Sequence, residues 1–127
     1  MPTISKQRPK FLNLREIRLP LAGIASILHR VSGAGMFLML PALVFLLQLS
    51  LGSPEDFDAF KRIVGFMPVK LVLFGLLWAL LHHFCMGIRI LLIDVHVGVE
   101  KASAALSAKI VVAVSVALTL ILGAKLW

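Results

Sequence analysis

The sequence predicts an all-α membrane protein: three transmembrane helices, the N-terminus in the cytoplasm, and a short external helix between the first two spans. Three observations carry this. Hydrophobic residues make up 60% of the 127 and charged residues only 15%, with a mean hydropathy of +1.00. A soluble domain of this length cannot bury that much apolar surface. The apolar residues fall in three runs long enough to span a bilayer. The basic residues, which give a formal net charge of +7, sit at the ends of those runs and form no stripe on a polar face. The charge therefore reads as positive-inside topology, and not as a nucleic-acid surface.

Residues 1–19 carry Lys6, Arg8, Lys10, Arg15 and Arg18 against Glu16. They are expected to stay in the cytoplasm near anionic headgroups, with Phe11, Leu12, Leu14, Ile17 and Leu19 at the interface. No secretory leader is expected, because no short apolar core adjoins these polar residues. Pro20 suits the first turn of a helix. The first span is expected over about residues 21–51, since no charge falls between Arg30 and Glu55. About 30 residues at 1.5 Å each give about 45 Å, enough to protrude on the cytoplasmic side. Pro41 is expected to kink it. Ser53-Pro54-Glu55-Asp56 reads as a helix start, with a serine cap, proline at the first position and acids in the first turn. The short helix it opens ends at Gly65 and Pro68. The second span is expected over residues 68–93 and the third over 104–127. Lys109 would snorkel to the inner interface, while Lys125 and Trp127 anchor the outer end. The single Cys85 lies inside the second run and reads as a small buried residue. The chain forms one membrane domain, residues 1–127, without repeats.

The candidate chemistry centres on His83-Phe84-Cys85-Met86-Gly87-Ile88-Arg89. A histidine inside a span is costly unless it has a partner. His83 could be an axial ligand of a haem b iron, imidazole being a standard ligand there. The bland alternative, which spacing alone favours, is a polar residue bonded to a neighbouring helix. Gly87 and Ile90 share its face, and a flat macrocycle could lie close over the glycine. No second deep histidine lies on another span, so a bis-histidine haem needs a ligand from another chain. His82 points about 100° away and cannot replace His83 without rotation of the helix. On the first span, the spacing of Ser26, His29 and Arg30 gathers them on one face with Gly33. Arg30 could clamp a propionate or bond a carbonyl, and Ser26 could donate to one, so this face suits a quinone. The bland alternative is interface anchoring by Arg30, with Ser26 satisfied on its own helix. Arg89 could reach a propionate or could be an interfacial arginine. Asp94 reads as a loop acid.

Taken together, these motifs resemble a family. Arg8-Pro9, Ile17-Arg18-Leu19-Pro20, Ser26-Ile27-Leu28-His29-Arg30-Val31-Ser32-Gly33, Ser53-Pro54-Glu55, and His83-x-x-x-Gly87-Ile88-Arg89 followed by Asp94 cover nearly the whole chain in order. The sequence resembles the cytochrome b subunit of succinate dehydrogenase, the larger of two membrane anchors in the bacterial complex. The resemblance implies a subunit of succinate:ubiquinone oxidoreductase in the inner membrane. It implies a smaller anchor as partner, plus an iron–sulfur subunit and a flavoprotein subunit that oxidises succinate, so that this chain does no succinate chemistry. It implies one haem b shared between the anchors, with His83 as the iron ligand and the second histidine on the partner. Cofactor contacts are implied at His29 and Arg30 and considered at Arg89, and ubiquinone contacts at Ser26, Ile27 and Arg30. The family often has a histidine after Gly-Ile-Arg, and here Ile90 stands there. Other readings are an anchor of a fumarate reductase-like menaquinol enzyme and a haem-free assembly subunit. A small transporter is disfavoured, because no paired acids or broken helices fall at mid-membrane.

Overall fold

The computed structural model describes residue 13 and residues 15–127. The expected interfacial role of Lys6, Arg8, Lys10, Phe11, Leu12 and Leu14, and the Arg8-Pro9 motif, lie outside the described residues. Four helices follow in order: α1 (Leu21–Leu51), α2 (Pro54–Gly65), α3 (Met67–Asp94) and α4 (Lys101–Leu126). Three of them, α1, α3 and α4, are long and apolar enough to cross a membrane. The all-α class and the short helix between the first two spans are as the sequence predicts.

Local signals explain the boundaries. Pro20 takes the N-cap position of α1, with φ −65° and ψ 156°. It stands one place before the first turn, and its carbonyl accepts from the amides of Gly23 and Ile24. The helix continues through Pro41 and stops at Gly52. Ser53 and Asp56 then form a reciprocal capping box: Asp56 N donates to Ser53 Oγ at 3.2 Å, and Ser53 N donates to Asp56 Oδ2 at 3.0 Å. The two bonds satisfy two amides that a helix start leaves without partners. Phe66 closes α2 and caps α3, with Pro68 in the first turn of α3. The α3–α4 connection is tight, with His96 at φ 63° and Gly98 at φ 71°. Both lie in the left-handed region, which glycine enters freely and other residues rarely do. α4 begins at Lys101, against an expected start near Ala104.

α3 is the central helix, packed against α1 on one side and α4 on the other, with a smaller α1–α4 contact. The buried residues fall on helical stripes: Ala79, His82, Met86 and Arg89 on α3, and Ala108, Val111, Ser115, Thr119 and Gly123 on α4. As many buried side chains are polar or charged (Ser32, His82, Arg89, Ser115, Thr119) as are hydrophobic (Ala25, Ala79, Met86, Ala108, Val111). The large apolar side chains instead face outward, Phe37 being 74% and Leu51 78% exposed. This distribution suits a lipid surround. Apolar solvent gives no reason to bury leucine, so small residues and interhelical hydrogen bonds hold the helices together. Ser115 and Thr119 donate to carbonyls of their own helix, at Val112 and Ser115, and so need no partner across the interface.

α4 meets α3 closely at Gly123, where a Cβ would overlap the Phe74 ring. Gly123→Val is expected to destabilise the α3–α4 pair by about 1–3 kcal/mol, the usual range for overpacking. Leu122→Val, on the outward side, should leave stability unchanged. Thermal unfolding in detergent compares the two.

Candidate functional site

Near the end of α1 that begins at Leu21, two imidazoles lie face to face. The rings of His29 (α1) and His83 (α3) are stacked, with centroids 4.0 Å apart and planes inclined by 13°. The pairing follows from sequence position. His29 is in the third turn of α1, and His83 is in the second half of the antiparallel α3.

The hydrogen bonds of His83 decide its protonation. Its Nδ1 lies 3.0 Å from the backbone carbonyl of His29 and 3.3 Å from Ser32 Oγ. The Ser32 hydroxyl itself donates to the same carbonyl at 2.8 Å. A carbonyl only accepts, so the network assigns the proton of the neutral ring to Nδ1. Nε2 then carries a lone pair, and it makes no hydrogen bond among the described residues. Imidazole metal ligands are commonly held in this way: the remote nitrogen donates to a backbone carbonyl and the other faces the metal. Gly33 completes the seat. A Cβ there would stand 2.8 Å from His83 Cε1 and 3.3 Å from its Nδ1, closer than atoms pack. The third α1 residue of this seat, Ser32, is the one sequence reasoning missed. It is buried, and its three-residue offset from His29 was the available signal.

His29 presents Nε2 3.9 Å from where a Cβ on Gly87 would be. Gly87 therefore lies against the second imidazole. Ile90 packs beside the core cluster of Ala25, Met86, Ala108 and Val111. Ser26 is half-buried, and Ile27 and Arg30 are exposed. Ser32, Ser50, Ser107 and Ser115 all donate to carbonyls of their own helices. Ser26 does not, and its hydroxyl has no partner among the described residues. Arg30 makes no ion pair there either, the one present being Lys61–Asp58 at 2.7 Å.

Two other polar groups on α3 face elsewhere. His82 is fully buried: its Nε2 lies 3.2 Å from Ala25 O, and its ring stacks on Trp78 at 5.2 Å. Its Nδ1 has no partner among the described residues. His82 thus braces α3 against α1, a different direction from His83, as the 100° helical offset requires. Arg89 is turned toward α4. Its Nε donates to Ser107 Oγ at 2.9 Å and its Nη2 to Ala104 O at 3.0 Å. The structure does not bring Arg89 into the His29–His83 group. Asp94 is the last residue of α3 and is exposed. No cluster of three or more histidine, cysteine or carboxylate side chains occurs among the described residues.

Residues 4–122 match the model of the succinate dehydrogenase/fumarate reductase transmembrane subunit family. The chain belongs to this family. Among its relatives is the succinate dehydrogenase cytochrome b556 subunit of Paracoccus denitrificans, 32% identical over 90% of this chain and 88% of the relative. The subunit of the same name from Coxiella burnetii is 31% identical over 98% of this chain and 100% of the relative. That of Rickettsia felis is 28% identical over 94% and 93%. The chain is therefore a multi-pass membrane subunit, of the family that anchors this enzyme.

Proposed function

We propose that this chain is the cytochrome b membrane anchor of a succinate dehydrogenase, holding haem b jointly with a smaller anchor and forming part of a ubiquinone-reduction site. The observation that carries the reading is the locked imidazole of His83: Nδ1–H is spent on the His29 carbonyl, and Nε2 is left with a free lone pair at membrane depth. The names of the relatives from Paracoccus denitrificans and Coxiella burnetii, cytochrome b556 subunits, support it. In this reading His83 ligates the iron, and the second axial histidine comes from the smaller anchor. His29 and Arg30 bind the propionates. Arg89, which the structure turns to α4, is left out of that contact. The haem, when bound, supplies a one-electron carrier.

The chain's own residues do the rest. Ser32 and the His29 carbonyl orient the His83 ring, and Gly33 leaves room for it. Ser26 donates its unpartnered hydroxyl to a quinone carbonyl. Arg30 places positive charge beside the same ring and favours the reduced, more negative oxygen. Ile27 supplies an apolar wall. Succinate oxidation belongs to the flavoprotein, and electrons arrive through the iron–sulfur subunit. The assembly sits in the bacterial inner membrane, with the N-terminus and the Ser26–Arg30 level on the cytoplasmic side.

Reduced-minus-oxidised spectra of the purified complex test the ligand. His83→Ala is expected to abolish the b-type band, and Gly33→Ala to weaken it by displacing the ring. A full band in His83→Ala removes His83 as ligand. A separate measurement addresses the quinone. Arg30→Leu should lower quinone reductase activity by about 10–100-fold, the loss expected for a charge-assisted bond worth about 1.5–3 kcal/mol. Succinate oxidation with a dye acceptor should survive. Equal loss of both activities would place Arg30 in assembly instead.

A further inference from the structure

Arg89 is a guanidinium only 8% exposed, and its charge is not neutralised within the chain. All six carboxylates of the sequence, Glu16, Glu55, Asp56, Asp58, Asp94 and Glu100, are among the described residues. The one ion pair they make with another described residue is Asp58 with Lys61. Arg89 instead donates to the neutral Ser107 hydroxyl, the Ala104 carbonyl and, at 3.9 Å, the Met86 sulfur. A charge held this deep is stable when a counter-charge is supplied.

The surroundings show where that counter-charge enters. Arg89 lines a cleft of about 370 Å³ between α3 and α4, with Ser103 and Ser107 beside it and Leu92, Leu106 and Ile110 forming apolar walls. Those three apolar residues are 47%, 59% and 52% exposed, so the cleft opens onto the outer surface of the bundle. The start of α4 is at the same place. Its N-cap residue, Glu100, makes no side-chain cap bond, which leaves first-turn amides without a side-chain partner at the positive end of the helix dipole, and Ser103 in that turn lines the cleft. Arg89 is five residues before the end of α3, about 7.5 Å along the axis, so it lies near the end of the bundle and not at its middle.

We propose that this cleft binds one anionic phospholipid, its phosphate against Arg89, Ser103 and the α4 N-terminus, and an acyl chain along Leu92, Leu106 and Ile110. Basic pockets between transmembrane helices recognise lipid headgroups by this combination of charge and apolar walls. A membrane lipid is favoured over a soluble anion because most of the lining is apolar and faces outward. The site lies on the α4 side of α3, away from His83, and does not depend on the haem and quinone assignments.

The test uses the whole purified complex, stripped of lipid in a non-ionic detergent, with dioleoylphosphatidylglycerol, dioleoylphosphatidylcholine and inorganic phosphate as probes, and native mass spectrometry and thermal unfolding as readouts. The wild-type complex is expected to bind one phosphatidylglycerol at this site and to unfold at a higher temperature with it. Arg89→Gln should bind it about tenfold or more weakly, as loss of one charged contact implies. Leu106→Trp narrows the cleft without touching the Arg89 bonds, and it should also lose the lipid while the subunits still co-purify. The proposal is overturned if phosphatidylcholine or inorganic phosphate stabilises as well as phosphatidylglycerol, if both variants bind phosphatidylglycerol like the wild type, or if the wild type binds none.

Discussion

The bond between His83 Nδ1 and the carbonyl of His29 is the constraint on which the site depends. It joins α1 to α3, and it sets the tautomer of the ring in the same step. A helix carbonyl has a second lone pair to give, so His29 keeps its place in α1 while accepting from His83 and from Ser32. The result is an imidazole whose orientation is settled before any partner arrives. A ligand already held in its working rotamer loses less entropy on binding a metal than one that must be ordered first.

The same helix pair shows why adjacent histidines behave differently. His82 and His83 share chemistry and depth, but one helical step sends their rings in different directions. His82 is enclosed, with Trp78 over its face and Ala25 O at Nε2. His83 is only half-buried and stands beside Gly33, where the absence of a side chain leaves the ring room. Accessibility distinguishes the two more sharply than identity does. Likewise Arg30 and Arg89 are both basic residues toward one end of the bundle, yet Arg30 is exposed and Arg89 is buried against α4.

Much of the fold was legible in the sequence. Hydropathy gave the three long helices, and Ser53-Pro54 with Asp56 gave the start of α2 to the residue, because caps and proline act locally. The start of α4 was less legible. Lys101 and Ser103 looked like loop, and only the tight turn through His96 and Gly98 brings the helix forward to them. The His29–His83 pairing could not be read from spacing within one helix, since it depends on the register of α1 against α3. Spacing put Ser26, His29, Arg30 and Gly33 on one face, and the three-residue offset of Ser32 from His29 was the one signal that Ser32 shares the seat. For Arg89, helical geometry showed that it leaves the His83 side, and only the packing of α4 showed where it goes.

The distribution of polarity carries a further consequence. Polar side chains occupy the contacts between helices, and the outward surface is a nearly continuous apolar sheath. In water such a molecule would be inverted. In a bilayer the arrangement is stable, because each buried hydroxyl or imidazole that finds a carbonyl avoids the cost of an unsatisfied group in hydrocarbon. The two buried groups left incomplete among the described residues are therefore the informative ones. One is the orphaned Nδ1 of His82, whose ring is fully enclosed within the bundle. The other is the Arg89 charge, which lines an open cleft and can be met from outside. A sealed deficit is a cost to the fold, whereas an open one selects a ligand. That difference separates a structural histidine from a binding arginine only seven residues further along the same helix.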